Sequence, residues 1–165
     1  MKPSKLALFS VALWLTTAGV AAWLFVHGQT APGTDGRKAV QLTPQERDLV
    51  LQEMRGLLQA THGVLEGLSK DDLPLVEKSA RAGGMAAAAD VNPMLMAKLP
   101  LEFKQLGMSV HQGMDDIARA AEHQEPKAAI LQRMSDQLGS CVACHAAWQL
   151  PVSVTRAGMA QNTVK

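Results

Sequence analysis

The 165-residue chain contains no tyrosine, and its three phenylalanines and three tryptophans make up only 4% of it. A sheet-based core, which draws on aromatic and β-branched side chains, is therefore disfavoured. Ala, Leu, Met and Gln are plentiful instead, and such helix formers predict an all-α fold. An excess of one charge is also lacking. Sixteen Lys and Arg stand against 15 Asp and Glu, spread along the chain, so nothing here argues for a nucleic-acid partner. Cysteine occurs only twice, three positions apart. Nine methionines alongside so few large aromatics point to an interior filled by flexible side chains, with ordinary gap-filling accounting for most of them and a flat bound group as the alternative for the rest. Once an apolar N-terminal stretch and a polar tail are set aside, enough chain remains for one domain.

Residues 6–26 carry no charge, whereas residues 1–5 hold two lysines, Lys2 and Lys5. A spanning helix needs roughly 20 apolar residues and a signal-peptide core about 7–15, so the length favours a retained transmembrane anchor. Cleavage after Ala22 is the alternative, with Val20 and Ala22 at the small-residue positions, but it would leave Trp23, Leu24, Phe25 and Val26 as an apolar new terminus. On either reading the chain is exported. Lys2 and Lys5 hold residues 1–5 in the cytoplasm by the positive-inside rule and place the chain beyond Val26 in the periplasm. Residues 27–41 turn to Gly, Thr, Pro and charged side chains without an apolar period and read as a linker.

Residues 42–150 read as an antiparallel four-helix bundle. Thr43-Pro44-Gln45-Glu46 forms a capping box, after which Val50, Met54, Leu57, Thr61, Val64 and Leu68 recur at spacings of four and three. Gly56 and Gly63 inside this first helix mark close packing. A second helix begins at 69–72, faces Leu73, Val76 and Ala80 inward, and ends near Gly83-Gly84; Asn92-Pro93 opens another short turn. After Pro100, Phe103, Leu106, Val110, Met114, Ile117 and Ala121 define a third helix to about Glu122. The fourth carries Ile130, Met134, Leu138, Cys141, His145 and Trp148 on one face and is limited by Pro151. Short turns between such segments imply antiparallel neighbours. Residues 151–165 read as a flexible tail.

Cys141-Val142-Ala143-Cys144-His145 is the pattern for attaching a c-type haem, two thiols adding to the vinyl groups and the adjacent imidazole binding iron. On a helix Cys141 and Cys144 lie one turn apart, and Cys141 and His145 share a face. A zinc site would want four ligands, and His27, His62, His111 and His123 show no paired spacing. A thioredoxin-like dithiol needs a βαβ context, and a disulfide between positions three apart on a helix is geometrically awkward. One covalent haem c is the reading that these considerations favour.

An attachment motif near the C-terminus of a four-helix bundle resembles the class II c-type cytochromes, the cytochrome c prime group, over roughly residues 42–150. That resemblance implies a haem within the bundle, His145 as proximal iron ligand, and either electron transfer or the binding of nitric oxide or carbon monoxide. Relatives carry an aromatic three residues after the histidine, here Trp148, but the basic residue that often comes next is missing. The distal side in the family belongs to the first helix, at the place taken here by Met54. Antiparallel geometry agrees: Met54 lies about ten residues into its helix, while His62 lies a further 12 Å or so along, given a rise of roughly 1.5 Å per residue. Met54 is accordingly a distal ligand or a core methionine. His111 is a third candidate, with a solvated or hydrogen-bonded role as its simpler description. Leu57, Phe103, Leu106 and Trp148 are candidates for packing on the haem, and core packing is the alternative. The whole reads as a carrier, not an enzyme, held at the inner membrane by residues 6–26 and exchanging electrons with periplasmic or membrane redox proteins; dimerisation through the first two bundle helices stays open.

Overall fold

The computed structural model describes residues 4–89 and 92–152, and it is mostly helical, with six α-helices and three short strands among these residues. Lys2 and most of the expected tail, residues 153–165, lie outside the described residues. Helix α1 (Lys5–His27) is capped by Ser4, whose hydroxyl accepts from the Ala7 N–H. It buries none of its residues, and its mean hydropathy of 1.8 over an 18-residue window makes it long and apolar enough to cross a membrane.

Residues 27–41, which read as a linker by composition, carry regular structure. They form a hairpin of strand β1 (Thr30–Pro32) and strand β2 (Lys38–Val40), closed by a turn containing Asp35-Gly36, with Gly36 at φ 87°. A third strand, β3 (Trp148–Gln149), lies parallel to β2 and pairs Lys38 with Trp148. Strands of two or three residues offer no readable alternation, and the partner of β2 lies more than a hundred residues away. Ala39 and Val40, within β2, are buried.

Helix α2 (Pro44–Ser69) starts as its sequence predicts: the Thr43 hydroxyl accepts from the Glu46 N–H at 3.3 Å, and the Glu46 carboxylate accepts from the Thr43 N–H at 2.9 Å. Helix α3 (Leu73–Ala82) is capped by Asp72 and stops before Gly83-Gly84, succeeded by a 3-10 turn at Met85–Ala88. Asn92 caps the short α4 (Pro93–Lys98), and α5 (Leu101–Glu122) and α6 (Lys127–Ala147) complete the set. A side chain at Gly63 would collide with Ser79 of α3, so this glycine does mark close packing. Gly56 has nothing within 4 Å of where a Cβ would be, so it does not.

Helix α3 packs between α2 and α5, α5 packs against α6, and α2 and α6 touch only lightly. Between them Val64, Val76, Ala80, Met114, Ile117, Ile130 and Met134 form the main core, each almost fully buried. The inward face of α6 differs from the apolar period: Leu138 is exposed, and Gln137 is buried in its place. Its amide donates to the Val110 carbonyl at 2.6 Å, and Gly113, lacking a side chain, leaves room for it. A satisfied polar group of this kind can be buried at little cost.

Candidate functional site

The Cys141–His145 segment occupies the last turns of α6. Both cysteines are free thiols and half-buried, and His145 is exposed. Cys144 packs against a second apolar cluster built from Val40, Leu42, Val50, Leu95, Leu99 and Trp148, with Phe103, Leu106 and Leu150 at its margin. Burial pushes both thiols above their ordinary pKa, and the neighbouring Cys141 adds to the effect at Cys144. Reactive dithiols show the reverse, a depressed pKa beside positive charge or a helix N-terminus.

The helix ends at Ala147, not at Pro151 as the period suggests. Trp148 turns to extended backbone (φ −123°, ψ 148°), and its N–H still donates to the Cys144 carbonyl. The indole is buried in the second cluster, meets Phe103 edge to face at 5.9 Å, and has the Lys38 ammonium 5.0 Å from its ring centroid. Trp148 thus joins β3 instead of extending the His145 face of the helix. Terminal carbonyls of a helix need donors. Here Arg37 supplies them, with Nη1 3.2 Å from the His145 carbonyl oxygen and 3.4 Å from that of Trp148. Arg47 donates to the Leu150 carbonyl at 2.9 Å, and Gln149 to Asp35 at 3.1 Å. Arg37 thus holds the end of the motif and Arg47 the segment just beyond it, and sequence reasoning missed both. Arg37 sits in the segment read as a linker, and no local pattern signals its reach across 108 positions.

The other candidates are distributed over two regions. Phe103, Leu106 and Trp148 join Cys144 at the second cluster, whereas Leu57 packs on the main core. Met54 is half-buried on α2, one turn beyond Val50. His62 is exposed, with Nδ1 3.8 Å from Glu66. No group of three or more His, Cys, Asp or Glu side chains is arranged to hold a metal ion among the described residues.

His111 is only 2% exposed and fully bonded: Nε2 lies 2.7 Å from Glu53 Oε1, and Nδ1 lies 2.8 Å from the Gly83 carbonyl oxygen. Hydrogen bonding to Glu53 raises its pKa against the opposing effect of burial. The pair lies at the edge of a cleft of about 490 Å3, lined also by Leu49, Val50, Leu57 and Leu95 and reaching Ala82 and Gly83 at the end of α3. A raised folded-state pKa means that the native protein holds this proton more tightly than the unfolded chain. The stabilisation is complete below the unfolded value of about 6.5 and is lost as pH rises through the folded value. Glu53→Gln is expected to cost about 2 kcal/mol at pH 6, as for a hydrogen bond to a charged group, and to flatten the decline in stability above neutrality; urea unfolding at pH 6 and pH 8 measures both.

Comparison of the chain with known protein families, with curated proteins and with solved structures gave no match.

Proposed function

We propose that the chain is a membrane-anchored mono-haem c-type cytochrome that carries electrons. The observation behind this is the Cys141, Cys144 and His145 constellation at the end of α6: two free thiols one helical turn apart, with the histidine of the motif adjacent. The donor chemistry fits the group. Each S–H would add across a vinyl C=C, the sulfur bonding to one carbon and the proton ending on the other, with nothing leaving. Burial, which keeps both sulfurs in the thiol form, is compatible with that addition. His145 would be the proximal iron ligand, and its exposed ring has no competing hydrogen bond among the described residues.

Haem, when bound, supplies the one-electron couple. The chain's own residues do the rest: Arg37 and Arg47 hold the helix end, the Val40, Leu99 and Trp148 cluster keeps water from one side of Cys144, and Met54 on α2 is the proposed distal ligand. The light contact between α2 and α6 is in keeping with a flat group seated between them in a four-helix arrangement. A thioether opposite an imidazole raises the potential and closes the iron to gases. Helix α1 would hold the protein in the inner membrane, with the haem domain in the periplasm.

Absorption spectra of the protein, expressed with a haem-maturation system, test this. Sharp low-spin bands, indifference to carbon monoxide, and conversion to high spin in Met54→Ala are expected. A wild-type spectrum that is high-spin and shifts with carbon monoxide would replace electron transfer by gas binding, and the absence of covalent haem would sink both.

A further inference from the structure

The composition of residues 27–41 implies a domain swinging on a flexible tether, but the contacts describe a fixed joint. The last turn of α1 leaves carbonyls that its own helix cannot satisfy. That of Leu24 is met by the N–H of Gly28, the residue that ends the helix, and that of Phe25 accepts from Lys104 of the domain at 3.0 Å. Lys104 is only 8% exposed, and its ammonium also lies 3.7 Å from the centroid of the Phe25 ring. A cation at the negative end of a helix and over an aromatic face is doubly favoured.

The chain then turns at Gly28 (φ 59°, ψ −158°), where a Cβ would sit 2.5 Å from the Lys98 carbonyl oxygen and 2.7 Å from the Leu99 carbonyl carbon. The next residue, Gln29, donates to the Lys98 carbonyl at 2.7 Å and accepts from the Gln41 N–H at 2.8 Å, and β1 begins at once. No free residue separates helix from domain. Leu99, whose backbone abuts Gly28, belongs to the same apolar cluster as Cys144 and Trp148. Pro32, four residues past Gly28, pairs with Lys38, which pairs with Trp148, so two interstrand steps of about 4.8 Å each lead from β1 to the end of the motif helix. With α1 read as a membrane span, Trp23, stacked on His27 with ring centroids 4.7 Å apart, puts that end at the interface, where Trp side chains collect.

We propose that this joint stations the Cys141–His145 segment at the outer surface of the bilayer, so that its redox partner is an integral membrane protein exchanging electrons at headgroup level, not a soluble carrier. This rests on the reading of α1 as a membrane span and of the motif as the redox site. A flexible tether raises encounter rates with every nearby partner. A fixed joint selects partners by height and orientation.

The test uses the full haem-loaded chain in lipid vesicles, with a nitroxide on Gly139→Cys, an exposed position on α6 outside the motif where a Cβ meets nothing within 4 Å, and reads what nickel adds to the constant relaxation from the ferric iron. Relaxation of the nitroxide by nickel chelated on lipid headgroups is expected to be strong, and to fall about twofold when some twelve Gly/Ser residues, reaching roughly 20 Å, are inserted between His27 and Gly28. Lys104→Met should loosen the joint in the same direction, while Lys104→Arg should not. Equal relaxation in the wild type and the insertion variant overturns the joint. Oxidation of the ferrous chain by a membrane-embedded oxidase should slow in the insertion variant. Oxidation by a soluble carrier protein as fast as by the oxidase overturns the choice of partner. If Cys141 and Cys144 also take the label, the haem reading has failed, yet the joint is still measurable in the chain carrying Cys141→Ser and Cys144→Ser.

Discussion

When Cys141 and Cys144 are both replaced by serine, no haem is expected to survive extraction of the protein with acidified acetone, whereas all of it should stay with the wild-type chain. The effect is all-or-none because the proposed thioether bonds are covalent and a serine hydroxyl does not replace a thiol in that addition. The single variants separate the two positions. Cys144 packs into the cluster with Val40, Leu99 and Trp148, and Cys141 does not. Cys141→Ser should therefore retain haem through one bond with little loss of fold, whereas Cys144→Ser adds a hydroxyl to a partly apolar wall and should also lower stability by about 1 kcal/mol. His145→Ala should keep the thioethers but lose the low-spin bands. Retention of haem in the doubly substituted chain would mean that the pigment is not attached through this motif.

Ile117→Ala is expected to be the most damaging single change in the fold, at about 3–4 kcal/mol, which for a domain of this size lowers the melting temperature by roughly 10–15 °C. Ile117 has no solvent exposure, and it lies in the main core among Val64, Val76, Ala80, Ile130 and Met134, contributed by α2, α3 and α6. Removing its outer carbons costs both their transfer from water and the cavity left behind. Val76 and Ala80 are short and close to their backbones, so the walls have little reach with which to fill the gap. Met134 has more, which is why the cost stays below the upper end of the range for such changes. Leu58→Ala, at a site 70% exposed on α2, is the control and should change stability by less than about 0.5 kcal/mol. Thermal unfolding followed by circular dichroism reads both. A loss below about 1 kcal/mol at Ile117 would mean that the core relaxes freely and is not packed as described.

The helices and most of their starts were legible because they obey local rules. Thr43 with Glu46 and Asn92 with Pro93 each act within three residues of themselves, and the resulting caps form as the sequence implies. The period of Val110, Met114, Ile117 and Ala121 reflects burial on one face of a single helix, and all four are buried. On α6 the same rule went wrong at Leu138. The hydrogen bond from Gln137 to Val110 and the space at Gly113 belong to α5, and no pattern within α6 announces them.

The candidate site divides in the same way. By itself the sequence determined that two thiols and a histidine stand at helical spacing near the end of the last helix, that the N-terminal stretch is long enough to span a membrane, and that the body of the protein is helical. These depend on composition and on neighbours within a turn or two. Only the tertiary structure decided that Trp148 leaves the helix to pair with Lys38, that Arg37 caps the carbonyls of His145 and Trp148, that Glu53 claims His111, and that Gly28 and Gln29, together with Lys104 on the Phe25 carbonyl, fix the end of α1 to the domain. Each of these pairs groups far apart along the chain, and what selects them is the need of a buried or terminal polar group for a partner. That need is met by whichever donor or acceptor folding brings within about 3 Å, and one-dimensional periodicity carries no record of which it will be.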